Sequence, residues 1–486
     1  MNNICSKVIK FLPIEIRRNI STSQTKCKIE HEHPFNRTGR ILGNDMKTVK
    51  SWFSGKKPNY KGHDGFPSHC DVCIIGGGAI GSSIAFWLKR RAKHGVSVVV
   101  VEKDCTYKEA STVLSVGGIR QQFSLAESIS MSLFGAEFLR NIKKYCNDDS
   151  IDVSYTPNGY LSLASSLGVE QLKENYKLGI ELGAKHLLLT RRQLKEKFPW
   201  LNVDNIELGC YGLENEGWFD PWALLYGLKK SSLNHGAEYV TGEAVDFEFK
   251  AMPDMMTDGV EPGTYEHLDR LIVKLPNGEL KPIKFALCVI AAGAHSGKIA
   301  QKARIGVGKG LLSIPLPIEP RKRYVYCFEC KDGPGLNTPL TIDPTGTYFR
   351  KEGLGGCYIS GKSPCDGEEE PSCDNLEVDH SYFENVIWPN IAHRVPAFEA
   401  LKYRSSWAGF YEYNYFDQNG VVGPHPYYTN LYIASGFSGH GIQHSPAVGR
   451  AVAEMILDGR FETVDLTRLG FDRLVVGKGL YEAEIV

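Results

Sequence analysis

The chain lacks long hydrophobic runs, net charge and clustered metal ligands, and each absence excludes a class of protein. Over 486 residues the formal net charge is +0 and the pI is about 7.2. The overall charge therefore indicates neither nucleic acid nor a strongly acidic partner. Because no apolar run is long enough to span a bilayer, we expect no transmembrane segment and only peripheral contact with a membrane.

The thirteen cysteines are scattered along the chain, without the His/Cys spacing that is typical of a metal site. Cys327 and Cys330 form a C-x-x-C pattern, which is open to a redox or zinc interpretation. We interpret the pattern as part of a strand, because it continues the alternating Arg323-Tyr-Val-Tyr326. An odd, dispersed set of cysteines indicates reduced thiols in a reducing compartment.

The first thirty residues are basic and apolar and contain little acid, and Ser21-Thr-Ser23 lies within them. This composition is typical of a mitochondrial transit peptide, and the alternative is a disordered basic tail. We predict a transit peptide over residues 1–25, a polar linker over 26–67, and a location in the mitochondrial matrix or on the matrix face of the inner membrane.

A glycine-rich turn follows the strand-like run Asp71–Ile75 and leads into a predicted helix. Its spacing is G-x-G-x-x-G, in which the first glycine turns the chain, the second admits a pyrophosphate and the third lets helix pack on strand. The helix N-terminus favours the negative charge of phosphates. We assign to the phosphates the turn and the first helical residues, Gly76, Gly78, Ala79, Ile80 and Gly81.

A second strand-like run, Val96–Glu102, places Glu102 21 positions after Gly81. A carboxylate there can accept hydrogen bonds from ribose hydroxyls, and we assign Glu102 with its neighbour Lys103 to the cofactor. The alternative is an ordinary βαβ unit with an exposed acid. Up to this point the pattern is compatible with either NAD or FAD.

Two further glycine-rich stretches favour the longer cofactor. Ala110–Phe123 is a small-residue loop that can lie against a flat ring, and its Arg120 can bind a carboxylate; the alternative is a surface turn with a solvated arginine. Leu431–Gln443 is again a strand, a glycine turn and then a helix expected from about Ala447. Three distant glycine loops suit an embedded FAD better than an exchangeable nicotinamide. From the Ala110–Phe123 loop we assign Ser111, Gly117 and Gly118 to the cofactor.

Elsewhere the pattern alternates as strands do. We predict a strand pair over residues 237–247, a surface excursion over 251–267, and a strand over Phe285–Ile290 that ends in small residues. Residues 319–361 alternate in the manner of an antiparallel sheet. The acidic residues 362–380 are expected to form a solvated loop.

With these motifs the chain resembles the FAD-dependent amine oxidoreductases of the D-amino-acid oxidase, glycine oxidase and sarcosine oxidase type, over about residues 68–470. The resemblance implies an α/β fold with a discontinuous, Rossmann-like FAD-binding domain over 68–150, 221–250, 285–300 and 405–470. It also implies an antiparallel-sheet substrate domain over 151–220 and 310–404.

The same resemblance implies roles for individual residues. Val245 would meet the adenine through its backbone, and the flavin would be flanked by Ala292, Gly293, Gly439, His440, Gly441 and Ile442. The substrate cavity would be lined by Arg120, Tyr348, Arg350 and Tyr411.

The chain departs from this family at three positions. Leu114 and Gly409 stand where relatives tether flavin through histidine or cysteine, which implies that FAD binds without a covalent bond. Gln443 stands where sarcosine oxidases have a lysine that promotes the reaction with oxygen. Without that charge, a dehydrogenase, or a protein with little turnover, is favoured over an oxidase.

Several motif variants resemble a mitochondrial branch of the family, and this branch implies a role in assembling respiratory complex I, with complex I subunits or assembly intermediates as partners. The alternative is a dehydrogenase of a small carboxylate-bearing amine, which needs no catalytic base. The variants are Ser115–Ile119, Gln121–Leu125, Asn215–Trp222, Glu319–Tyr326 and Phe416–Pro426.

Overall fold

The computed structural model describes residues 66–257, 260–365 and 367–483, so the predicted transit peptide and nearly all of the predicted linker lie outside the described residues. Strands make up two large sheets. In chain order they are β1 (His69–Ile75), β2 (Val98–Glu102), β3 (Gly118–Ile119), β4 (Tyr160–Ala164), β5 (His186–Thr190), β6 (Leu208–Gly212), β7 (Gly217–Trp218), β8 (Glu238–Thr241), β9 (Glu243–Ala251), β10 (Glu266–Lys274), β11 (Leu280–Ile290), β12 (Ile318–Glu329), β13 (Leu340–Ile342), β14 (Tyr348–Glu352), β15 (Cys357–Gly361), β16 (Lys402–Asn414), β17 (Val421–Pro424) and β18 (Leu431–Ser435).

Helices cover both faces of the first sheet and one face of the second. They are α1 (Ala79–Ala92), α2 (Ser111–Leu114), α3 (Ala126–Arg140), α4 (Ile142–Cys146), α5 (Val169–Glu181), α6 (Arg191–Lys197), α7 (Pro221–Asn234), α8 (Ser296–Lys302), α9 (His380–Tyr382), α10 (Trp388–Arg394), α11 (Gly441–Asp458) and α12 (Asp472–Val475). Among the described helices, none has the length and apolar character needed to cross a membrane.

The first sheet has a parallel centre, as the Rossmann-like prediction requires. Its strand order is β17-β18-β11-β1-β2-β8, with β10 and β9 joined to the side of β11. Ile75 is in register with Val101 on one side and with Ile290 on the other. The carboxyl ends of β1, β2 and β11 therefore share one edge, which is where ligands bind in open α/β sheets.

The second sheet runs β16-β12-β15-β14-β13-β4-β6-β5 and is antiparallel except between β13 and β4. One of its faces packs on the segment that contains α9 and α10, through a cluster of fully buried rings. The members of that cluster include Tyr326, Phe328, Phe349, Tyr358 and Phe398. The opposite face is free to meet the edge of the first sheet, and the predicted antiparallel sheet is confirmed.

Four expectations need correction. Strands β8 and β9 do not pair with each other, because β8 joins β2 and β9 joins β10. Strand β10, which lies partly in the predicted surface excursion and outside every predicted FAD-domain segment, belongs to the first sheet.

Cys70 and Cys73 are a second C-x-x-C pair, overlooked in the sequence, and both are buried thiols.

The fourth correction is the start of α11, which lies at Gly441 instead of near Ala447. Pro446 has no N–H to donate within the helix, which made a start after the proline plausible. In the structure the Ile442 carbonyl, four residues earlier, accepts the Ser445 hydroxyl at 2.9 Å. The helix therefore runs through the proline with that carbonyl satisfied.

Candidate cofactor and substrate site

The first glycine turn is set by contacts that leave no room for a side chain. Gly76 has φ +101°, and a Cβ atom on it would lie 2.3 Å from the Ala291 carbonyl oxygen. A Cβ on Gly81 would lie 1.9 Å from the Gly76 oxygen. The turn is thus pressed between α1 and the end of β11, and only glycine allows both approaches.

Glu102 holds this turn at the end of β2. Its Oε2 accepts the Gly77 amide at 2.7 Å and its Oε1 accepts the Asp104 amide at 3.0 Å. An ionised carboxylate has about four lone-pair sites, so both oxygens keep capacity for ribose hydroxyls. Lys103 points to solvent, with its Nζ 3.6 Å from Glu243.

The N-terminus of α1 meets the small-residue loop through a residue that the sequence did not single out. The Ala79 amide donates to Thr112 Oγ1 at 3.0 Å, and Gly78 gives the helix no side-chain cap. Ser111, assigned to the cofactor, is the first residue of the same short helix α2. The loop therefore lies against the predicted phosphate site.

The turn after β11, which contains Gly293, and the glycine turn after β18 meet at a buried carboxylate, Glu412. Glu412 Oε2 accepts the Ser435 hydroxyl and the Gly436 amide, both at 3.1 Å, and the same hydroxyl lies 3.1 Å from the Gly293 carbonyl. A Cβ on Gly441 would lie 2.4 Å from Glu412 Oε1. Burial raises the pKa of Glu412, although the backbone N–H donors act against it. Sequence reasoning missed this residue.

Arg120 lies against the turn that begins α11. Its Nη2 is 3.1 Å from His440 Nε2, and its own amide donates to Gln443 Oε1 at 2.8 Å. Burial lowers the pKa of His440 well below its usual range, and the neighbouring Arg120 charge lowers it further. His440 is therefore neutral at pH 7 and accepts a hydrogen bond from Arg120.

The segment after Arg120 is fixed by Glu216, which has no exposed surface. Glu216 accepts the Gln121 amide at 2.7 Å and the Gln122 side-chain amide at 2.8 Å, and its Oε1 is 3.0 Å from His186 Nε2. Of the two glycines before Arg120, Gly117 has a positive φ of +69°, which favours glycine. Gly118 lies in strand β3 and pairs with Trp218. Glu216 thus positions Arg120 from 96 residues away in the chain.

The predicted substrate residues Tyr348, Arg350 and Tyr411 all project from one face of the second sheet. Tyr348 and Arg350 alternate along β14, and Ile359 opposite Arg350 pairs with Cys327 of β12. Six residues before Cys327, on the same face, β12 pairs with Tyr411. Burial raises the pKa of Tyr348 to about 12. The Tyr411 hydroxyl donates to the Ser438 carbonyl in the second glycine turn, so this face meets the predicted cofactor site.

The guanidinium of Arg350 already donates hydrogen bonds to other residues of the same chain. Its Nε and Nη2 donate to the Val116 carbonyl at 3.1 and 2.9 Å, and its Nη1 donates to Glu352 Oε2 at 2.6 Å. Its guanidinium also lies over the Trp218 ring. Arg350 therefore holds the glycine loop, whereas Arg120 keeps more of its N–H groups for a ligand.

The two positions at which relatives tether flavin lie side by side. A Cβ on Gly409 would lie 3.1 Å from Leu114 Cβ, and Trp407 Nε1 donates to the Leu114 carbonyl at 2.8 Å. Neither residue offers a nucleophile, which agrees with the expected non-covalent cofactor.

Val245 lies on β9, near the ribose side of the site. The Gly242 amide, three residues before it, donates to the Glu102 carbonyl at 2.8 Å. The adenine role of Val245 itself stays a prediction. The remaining assigned residues gather at the carboxyl edge of the first sheet, and the glycine cradles, the helix N-terminus and Glu102 fit FAD.

Comparisons with known proteins agree with this geometry. The family model described as FAD dependent oxidoreductase matches residues 71–455. FAD-dependent oxidoreductase domain-containing protein 1 of Xenopus laevis is 52% identical over 428 residues, which cover 86% of this chain and 85% of that protein. The homolog of Drosophila melanogaster is 47% identical over 481 residues, 93% of this chain and 92% of that protein.

Solved structures share the fold. The crystal structure of L-proline dehydrogenase from P. horikoshii has a TM-score of 0.70 at 24% identity, covering 85% of this chain and 100% of that chain. Glycine oxidase from Geobacillus kaustophilus has a TM-score of 0.65 at 21% identity, covering 83% and 98%. At these identities the likeness concerns the fold alone.

Changing Glu102 to lysine is expected to weaken FAD binding about tenfold or more, because it removes a charged hydrogen-bond acceptor and places a cation at the turn. Titration of the apoprotein with FAD, followed by flavin fluorescence, measures the change. Glu238→Lys is the matched control, since Glu238 is exposed on β8, the strand that pairs with β2. Equal affinities for wild type and Glu102→Lys would refute the ribose assignment.

His444 predicts a pH dependence of stability. Burial, and then the Arg120 charge, lower its pKa from 6.5 to about 3, so between these pH values the unfolded chain binds a proton that the folded chain refuses. The free energy of unfolding then falls by about 1.4 kcal/mol per pH unit for this group as pH decreases. In His444→Gln this contribution is lost, and the decline in urea-unfolding free energy is shallower by that amount.

The control for this measurement is His69→Gln, a change at an exposed histidine. Parallel pH profiles for wild type and His444→Gln would contradict a neutral, buried His444.

Proposed function

The chain belongs to the FAD-dependent oxidoreductase family, and from that premise we propose that it is a dehydrogenase of a small amine or amino acid that carries a carboxylate. The observation that supports this most directly is Arg120, a guanidinium held by neutral His440 at the turn where the cofactor loops converge. FAD bound in such a site accepts a hydride from a substrate C–H bond. The residues of the chain bind, orient and shield the substrate.

Arg120 is suited to anchor the substrate carboxylate. A guanidinium has five N–H donors in a fixed fork, and the described contacts of Arg120 engage one of its Nη atoms with His440. The remaining donors can bind a carboxylate in bidentate geometry. Because His440 is neutral, it accepts from Arg120 without adding a competing charge.

The tyrosines frame the cavity without taking part in proton transfer at pH 7. Tyr348 keeps its proton, since burial raises its pKa to about 12. The Tyr411 hydroxyl donates its hydrogen bond to the Ser438 carbonyl. No catalytic base is needed, because an amine that arrives neutral can release the hydride directly. By pairing with the substrate carboxylate, Arg120 offsets the negative charge that would otherwise stabilise the protonated amine.

Gln443 supports dehydrogenase over oxidase chemistry. Its Oε1 accepts the Arg120 amide, so it orders the loop and supplies no positive charge to stabilise a developing superoxide. A bound carboxylate would in turn neutralise Arg120. We therefore expect the reduced protein to react slowly with oxygen and to use another acceptor.

The test is anaerobic loss of flavin absorbance on addition of N-methyl and free amino acids. With a true substrate, Arg120→Gln is expected to raise the concentration for half-maximal reduction by about tenfold to a hundredfold, the usual effect of losing one charged hydrogen-bond partner. Arg140→Gln, at an exposed end of α3, serves as the control. Full flavin absorbance with every amine tried would count against the enzymatic proposal.

We also propose that the protein acts in mitochondria, in the assembly of respiratory complex I. The support is the resemblance of its motif variants to a mitochondrial branch of the family, together with the basic, apolar first thirty residues. Bound FAD would stabilise the fold by mass action whether or not it turns over. The two proposals are compatible.

Disruption of the gene, followed by native gels of mitochondrial membranes, tests the assembly role. Assembled complex I is expected to decrease and to return with the wild-type chain. The Arg120→Gln chain separates the two proposals: full rescue would indicate that FAD serves stability there, and failed rescue would indicate that turnover is required. An unchanged amount of complex I in the disrupted cells would contradict the assembly role.

A further inference from the structure

The start of β12 carries two arginines on the same face of the second sheet as Tyr411. Arg321 is in register with Tyr411, and Arg323 is in register with Gly409, and directly opposed residues of an antiparallel pair share a face. The Arg323 guanidinium lies 5.0 Å from the Tyr411 ring centroid, and that of Arg321 lies 4.6 Å from the Tyr413 ring. Both cations therefore belong to the face on which substrate residues are predicted.

The Tyr411 ring separates Arg323 from the glycine turn Gly436–Gly441. A Cβ on Gly439 would lie 2.4 Å from the Tyr411 ring, while Arg120 contacts His440, the next residue of the same turn. Arg120 contacts the turn directly, whereas Arg323 reaches it through the Tyr411 ring. The two cations come from different elements, the glycine loop and the sheet, and a substrate with two anionic ends would contact one cation with each end.

In the structure carboxylates already hold the arginine pair: Glu319 accepts from Arg321 Nε at 2.8 Å, and Glu370 spans both arginines. Glu370 accepts from Arg323 Nη1 at 2.6 Å and Nη2 at 3.1 Å, and its Oε1 is 3.0 Å from Arg321 Nη1. Burial raises the pKa of Glu370, but the two arginines outweigh it, and the net shift is downward. The expectation of a fully solvated acidic loop is therefore wrong for this residue.

The segment that carries Glu370 is anchored beyond that residue, where Leu376 packs against the ring cluster. Between β15 and α9 its described residues form neither helix nor strand. Arg323 Nε donates to Ser363 there at 3.2 Å, and Lys362 pairs with Glu368 at 3.4 Å. Replacing the Glu370 carboxylate by one from a ligand would leave the charge balance of the arginine pair unchanged, so the exchange costs little electrostatic energy.

We propose that Arg321 and Arg323 form a second carboxylate-binding site of the substrate cavity, which Glu370 fills until a dicarboxylic amine displaces it. Such a substrate, an acidic amino acid or an N-substituted derivative, binds Arg120 through the carboxylate next to its amine and the arginine pair through its distal carboxylate. This inference rests on the proposed dehydrogenase function and narrows its substrate class. A monocarboxylic amine would leave Glu370 in place.

The experiment uses the FAD-loaded full chain and the shift of its flavin absorption band on titration with glutarate and, separately, with acetate. Glu370→Gln removes the competing anion and is expected to tighten glutarate binding about tenfold, the effect of one charged hydrogen-bond partner, with acetate unchanged. Glu369→Gln is the matched control, since Glu369 is exposed and forms no ion pair within the described part of the chain.

A second variant keeps the test decisive if Glu370→Gln loosens the segment. Arg323→Gln is expected to weaken glutarate binding about tenfold and to leave acetate binding unchanged, because acetate needs Arg120 alone. FAD content confirms that each variant is folded. Unchanged or weaker glutarate binding in folded Glu370→Gln overturns the proposal, as does equal tightening of glutarate and acetate.

This binding assay separates the inference from the proposed function. Failure of every amine to bleach the flavin, with glutarate binding still tightened by Glu370→Gln, would reject turnover and keep the carboxylate site. Bleaching by monocarboxylic amines, with no effect of Glu370→Gln on glutarate, would reject the site and keep the dehydrogenase.

Discussion

The contact on which the site depends is the packing of bare backbone at Gly76. Its Cα faces the Ala291 carbonyl at the end of β11, while α1 approaches from the other side so closely that Gly81 has no room for a methyl group. Because β1 lies between β2 and β11, this one turn brings the ends of three strands and a helix N-terminus together. The cofactor edge is therefore made mainly of backbone, with Glu102 as its anchoring side chain.

Buried carboxylates hold the remaining loops in place. Glu412 joins the turn after β11 to the glycine turn after β18, and Glu216 fixes the segment after Arg120. A third carboxylate, Asp417, holds the C-terminal region through Arg473 at 2.6 Å. A carboxylate inside a protein is stabilised only when several donors satisfy it. Each of these residues therefore specifies one loop geometry, and a neutral replacement would leave backbone N–H groups unpaired.

The sequence predicted contacts between residues that are near each other in the chain, and it missed contacts between residues that are far apart. The Gly76–Gly81 turn and Glu102 follow from glycine spacing and strand order within about thirty residues, and the structure brings them together. Thr112, Glu216 and Glu412 meet their partners across the fold, and a single threonine or glutamate has no periodicity that marks it. The start of α11 was misplaced because a proline usually delays a helix, and the compensating Ser445 hydroxyl is visible only in three dimensions.

The same division explains why the cofactor is easier to assign than the substrate. FAD contacts backbone at glycine turns, and backbone geometry is shared among structures at 24% identity. A substrate instead meets side chains, and the face of β12, β14 and β16 on which we predict substrate residues carries Arg323, Arg350 and Tyr411. Arg350 donates to the Val116 carbonyl and Arg323 to Glu370, so a ligand that binds either arginine has to replace a partner within the protein. Glu370 spans two arginines, so a ligand carboxylate that takes its place keeps both the charge and the hydrogen bonds of the pair.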